Sequence, residues 1–77
     1  MPRLESPYMR AEEQPGVRPW WQIRNRRHGD LLGAVGWYSA WRQYIFMPEQ
    51  SIALSADCLV ALAQFATEAK AEVKVTA

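Results

Sequence analysis

Residues 31–47 read LLGAVGWYSAWRQYIFM, and this stretch decides the fold. Leu31 to Tyr38 is an apolar run interrupted by Gly33 and Gly36, and Trp41 to Met47 is rich in aromatic and β-branched residues; both have strand character. Strands that follow each other across so short a connection lie antiparallel. Ser39-Ala40 is a poor two-residue turn, because neither residue favours positive φ. The other reading is a longer loop that takes in Tyr38 and Trp41. On the second strand Arg42, Tyr44 and Phe46 share one face, and Trp41, Gln43, Ile45 and Met47 the other. Glycine inside a strand marks a bulge or a close approach, so a large ring across the sheet, such as Trp21, is expected to fill the space beside Gly33 and Gly36.

Upstream, Trp20 to Arg27 alternates. Trp21 and Ile23 fall on one side, while Trp20, Gln22, Arg24 and Arg26 fall on the other, as in a half-buried strand. His28-Gly29-Asp30 supplies turn chemistry towards Leu31. Downstream, Pro48-Glu49-Gln50 reads as a turn with proline at its favoured second position. Ser51 to Leu54 is an optional short fourth strand. Ser55 has the chemistry of a helix N-cap, with Asp57 placed where the helix dipole favours an anion. The helix is predicted over about 56–71, with Leu59, Leu62, Ala63 and Ala66 as its apolar stripe and Cys58 and Phe65 beside it. Glu72 to Ala77 shows no pattern and is expected to fray.

Residues 1–19 contain Pro2, Pro7, Pro15, Pro19 and Gly16 and few large apolar side chains. Prolines bias their neighbours to extended backbone and remove amide donors. This segment is therefore predicted to be a flexible Pro-rich arm, partly laid on the domain. Residues 20–77 then form a single α+β domain: an antiparallel sheet of three to four strands over about 20–54, with one C-terminal helix packed on one face.

A chain of 77 residues accommodates one domain with a small core. Four Trp, three Tyr and two Phe compensate, because each ring buries a large area. Residues 1–19 balance (Arg3, Arg10 and Arg18 against Glu5, Glu12 and Glu13). The middle, with Arg24, Arg26, Arg27 and Arg42 against Asp30 and Glu49, is basic, and the helix end is mildly acidic. The net charge of +1 is small for a general nucleic-acid binder. A lone cysteine, Cys58, forms no internal disulfide and fits a reducing cytoplasm. The first residues are polar and lack the apolar centre of a secretion signal. No apolar run approaches membrane-spanning length.

Catalytic chemistry finds no reagents. Cys58 reads as a small buried residue beside the helix stripe, and His28 sits in a solvated basic turn. No carboxylate pair, phosphate-binding glycine loop or metal-ligand spacing is present. The expectation is a protein without enzymatic activity, cofactor or metal. Trp, Tyr and Arg are the residue types that dominate binding hot spots. Trp20, Arg24, Arg26, Arg42 and Tyr44 are placed on the sheet face away from the helix, with Arg27 extending the basic patch. These six are the candidate partner-binding residues. Two occupants compete: a protein docked on Trp20 and Tyr44, or a nucleic acid whose bases stack on the rings while arginines hold phosphates. An exposed edge strand also offers pairing with a second copy.

The core Trp37-Tyr38-x-x-Trp41-Arg42-Gln43-Tyr44-x-Phe46-x-Pro48 resembles a pattern of short phage and prophage proteins, largely of unknown function. Trp21-Gln22-Ile23-x-Asn25, Leu32-Gly33, Cys58-Leu59 and Phe65 fit the same pattern, so the resemblance spans about 20–67. It implies no catalytic residues. Similar small products of phages and mobile elements include anti-CRISPR inhibitors, which bind a host effector complex. The resemblance thus implies an inhibitor of a host defence complex that acts by protein binding in the bacterial cytoplasm.

Overall fold

The computed structural model describes residues 2–72, so the tail expected to fray beyond Glu72 lies outside the described residues. Four strands, β1 (Met9–Gln14), β2 (Trp20–Asn25), β3 (Leu31–Tyr38) and β4 (Gln43–Pro48), precede one helix, α1 (Ala56–Glu72). The strands form an antiparallel meander in the order β1-β2-β3-β4. This is the α+β sandwich of sheet and C-terminal helix predicted from the sequence, with α1 packed chiefly against β4.

The fourth strand comes from an unexpected place. Ser51 to Leu54 is not a strand; Ser51 takes a positive φ of 61° in a turn. The extra strand is β1, inside the segment read as a flexible arm. Met9 and Ala11 share the helix-facing side, and Met9 is fully buried. Arg10, Glu12 and Gln14 occupy the other side, which is the alternation of a half-buried strand. Pro7 and Pro15 lie just outside it, where missing amides cost the ladder nothing. The residues before β1 are also tied down. Arg26 N–H donates to Tyr8 O, the Arg26 Nε–H is shared between Ser6 O at 2.9 Å and Met9 O at 2.7 Å, and Arg3 N–H reaches Glu68 Oε1 on α1.

Between β2 and β3, Asn25 shapes the turn: its Oδ1 accepts the Arg27 and His28 amides, and Gly29 adopts a φ of 76°. The register then slips by one residue, from Ile23 opposite Gly33 to Arg24 opposite Leu31, so Leu32 is the extra residue of a bulge. Gly33 marks a close approach, as read from the sequence, but the ring beside it is Phe46 of β4 and not Trp21. Gly36 lies under Met47 and the Cβ of Trp20.

Trp21, Ile23, Val35 and Tyr44 from the sheet meet Cys58, Ala61, Leu62, Phe65 and Ala69 from the helix. Trp21 is central: its ring meets Phe65 edge-on at 5.1 Å and Tyr44 at 5.6 Å. Ser55 caps α1 as expected, with its hydroxyl accepting the Cys58 amide at 3.3 Å. The buried stripe is rotated from the predicted one. It runs through Cys58, Ala61, Leu62, Phe65 and Ala69, and Leu59 and Ala63 face outward. Residues 58–67 carry no charge, so periodicity alone left two apolar faces to choose from. Phe65, the bulkiest apolar side chain of the helix, took the interior.

Candidate protein interface

The six sequence-derived candidates do not converge on one face. Trp20 and Arg24 do lie on the open side of the sheet, but both are engaged. Trp20 Nε1–H donates to Pro15 O at 3.1 Å. Arg24 donates to Glu12 Oε1 at 3.0 Å, to Gly29 O at 3.0 Å and to Gln22 Oε1 at 3.1 Å. Arg10 holds the second oxygen of Glu12 at 3.2 Å. The two guanidiniums, Arg10 foremost, pull the Glu12 carboxyl below its ordinary 4.5, with partial desolvation opposing. The polar half of the open face is thereby largely paired within itself.

The other four lie elsewhere. Arg26 is consumed in binding the carbonyls of Ser6 and Met9. Arg27 is exposed on the β2–β3 turn, next to His28. Tyr44 is not on the open face: it is 4% exposed, and its hydroxyl donates to Pro19 O at 2.9 Å. Burial pushes its phenol above the ordinary 10.0, with Arg18 opposing and Glu13 reinforcing. Arg42 is not in a strand, because β4 starts at Gln43. It closes the β3–β4 loop at the opposite end of the sheet from Arg27.

That loop carries the aromatic surface that the strand reading placed wrongly. Residues 39–42 form the longer connection that Ser39-Ala40 demanded. Trp41 N–H donates to Tyr38 O at 3.2 Å and Arg42 N–H to Ser39 O at 3.3 Å, and Arg42 returns the chain to β4 with a φ of 52°. The tight loop turns Trp41 outward, leaving it 64% exposed, and its ring stacks edge-on against Tyr38 at 4.8 Å. Trp37 lies on the other side of β3 from Tyr38, packed on the core, with Tyr44 against its ring at 5.6 Å and the Arg18 guanidinium 5.4 Å from its ring centre. Arg18, Trp20, Gly36, Trp37, Ser39 and Met47 line a shallow groove next to this tip. Tyr38 and Trp41 were not among the sequence candidates. The signal that could have found them was the failure of Ser39-Ala40 as a two-residue turn.

Cys58 is buried in the core, and His28 is exposed on the β2–β3 turn. Among the described residues no group of three or more His, Cys, Asp or Glu is arranged to hold a metal, and no helix is long and apolar enough to cross a membrane. The fold and the tip together define a four-stranded meander with a capped helix and an exposed aromatic–arginine end. No family model matches the chain, and no curated protein or solved structure matches it.

Proposed function

We propose that this chain works by stoichiometric protein binding, as a phage- or mobile-element-derived inhibitor of a host defence complex of the CRISPR-effector kind. The resemblance of its aromatic core to small phage proteins suggests the target class. The observation that carries the binding mode is the Tyr38–Trp41 pair. An exposed Trp held rigid by a tight loop, against a second ring and next to Arg42 in the chain, loses little freedom on docking and offers the residue types of a binding hot spot. Nucleic acid is the weaker reading: Arg24 and Arg26 are occupied, and Arg27 and Arg42 stand at opposite ends of the sheet.

The test is co-elution and calorimetry with purified effector complexes from the host, together with phage protection in plaque assays. A stable complex and protected phage are expected, and both are lost in Trp41→Ala. No complex with any effector and no protection would end the inhibitor reading. A gel shift with DNA or RNA that weakens steeply with salt would replace it with the nucleic-acid one.

A further inference from the structure

The end of the sheet opposite the aromatic tip carries a second concave surface. Pro7, Tyr8, Asn25, Arg26, Arg27 and His28 line a cleft of about 590 Å3 beside the β2–β3 turn, a size within the range of small-ligand sites. Its chemistry is one-sided. Two guanidiniums and an imidazole meet there from consecutive residues, and no described carboxylate lines it. Arg26 and Arg27 have no ion-pair partner among the described residues, where such pairs involve Arg3, Arg10 and Arg24. Like charges gathered round a concavity repel one another and draw an anion into it.

The cleft is also held in shape. Asn25 Oδ1 accepts the amides of Arg27 and His28, Asn25 O accepts the Gly29 amide at 2.8 Å, and Arg24 donates to Gly29 O. On the other wall, Tyr8 O accepts the Arg26 amide, and the Tyr8 amide donates to the Ser6 hydroxyl. Arg26 uses its Nε–H on the carbonyls of Ser6 and Met9, which fixes the guanidinium; its terminal nitrogens have no hydrogen bond among the described residues. Such a pair of nitrogens can hold two oxygens of one phosphate. A ring completes the site. Tyr8 lines the same cleft and is 62% exposed, although the backbone around it is fixed. An uncovered ring within reach of a phosphate site is a stacking platform for a nucleobase. Because Asn25 Oδ1 is taken by two amides, its Nδ2 is the end left to donate to the base or the sugar. We propose that this cleft binds a nucleoside monophosphate, with the phosphate held by Arg26, Arg27 and His28 and the base stacked on Tyr8. One phosphate needs only this local cluster and no basic track along the sheet, so the small net charge does not oppose it.

Amide chemical shifts of the full chain, titrated with adenosine monophosphate, adenosine and inorganic phosphate at constant ionic strength, test this. The nucleotide is expected to bind saturably with a dissociation constant of roughly 0.1–1 mM, as suits a shallow site with few contacts, and to move the amides of Tyr8 and of the β2–β3 turn. Adenosine should bind at least about tenfold more weakly. Arg27 and His28 are exposed on the turn, so Arg27→Ala and His28→Ala should keep the native thermal transition. Each should raise the dissociation constant for the nucleotide about fivefold or more. Tyr8→Ala should weaken the nucleotide by a similar factor and leave phosphate binding unchanged, which a merely electrostatic patch would not show. No saturable shift with the nucleotide up to about 10 mM, equal affinity for adenosine, or binding that survives Arg27→Ala combined with His28→Ala overturns the proposal. A short oligonucleotide without a terminal phosphate that binds as tightly as the nucleotide also overturns it, and would assign the cleft to strand backbones. Trp41→Ala should bind the nucleotide normally, so this cleft and the aromatic tip succeed or fail separately.

Discussion

A Cβ added at Gly33 would run into the Met47 carbonyl and lie 2.8 Å from the Phe46 ring. The ring could turn, but the carbonyl belongs to the neighbouring strand and cannot leave without breaking the ladder. Gly33→Ala is therefore expected to cost about 2–3 kcal/mol in urea denaturation, in the range of overpacked core sites. Tyr44 makes a different point. Its buried phenol is neutral in the fold and holds Pro19 O, so Tyr44→Phe should cost about 1 kcal/mol near neutral pH. Because burial raises its folded pKa above the unfolded 10.0, the folded state keeps a proton that the unfolded state releases. That contribution is fully present below pH 10 and is lost as pH rises through the folded value. Stability measured from pH 8 to 11 should fall less steeply in Tyr44→Phe than in the wild type, and equal slopes would contradict the assignment.

Among elements, β1 and the β3–β4 loop carry most of what the sequence hid. The hairpin of β3 and β4, strand β2, the Ser55 cap and the helix were legible because each has a local signature: β-prone runs, alternation, turn residues, a capping hydroxyl. β1 has only Met9 and Ala11 as its apolar pattern, and flanking prolines look the same whether they bound a strand or populate a disordered arm. What ordered it was tertiary: the pairing with β2, the burial of Met9 and the Arg26 side chain across the carbonyls of Ser6 and Met9. Met9→Ala should accordingly remove about 2–4 kcal/mol, a large share of a small domain's stability. A flexible arm would make that substitution silent in the same denaturation experiment. The candidate site was less legible than the fold. Tyr44 and Arg42 were assigned a common face by counting from Trp41, but the chain does not enter β4 until Gln43. The alternation was right from Tyr44 onward, yet the choice of which face met the helix went the wrong way. Both faces of that strand carry large apolar side chains, so the pattern could not decide between them.

At the scale of the whole molecule, the surfaces divide by composition. The open face of the sheet is stitched together by Arg10, Glu12 and Arg24; the outer side of α1 is apolar; the loop end is aromatic and basic. A net charge of +1 conceals this division, because the cations are distributed over both ends of the sheet and one face. The rings divide into two groups. Trp21 and Tyr44 fill the interior with Trp37 against Tyr44, while Tyr38 and Trp41 form a separate pair at the loop end. Trp41 contributes little to folding in that position, so Trp41→Ala should change stability by less than about 1 kcal/mol. The most direct measurement is calorimetric titration of purified host effector complexes with the wild type and with Trp41→Ala, both verified as folded. Expected is saturable binding by the wild type and a loss of at least about 2 kcal/mol of binding free energy, roughly thirtyfold in Kd, in the variant. Equal affinities for the two proteins, or no binding by the wild type, would contradict the proposed role of the aromatic tip as a docking point.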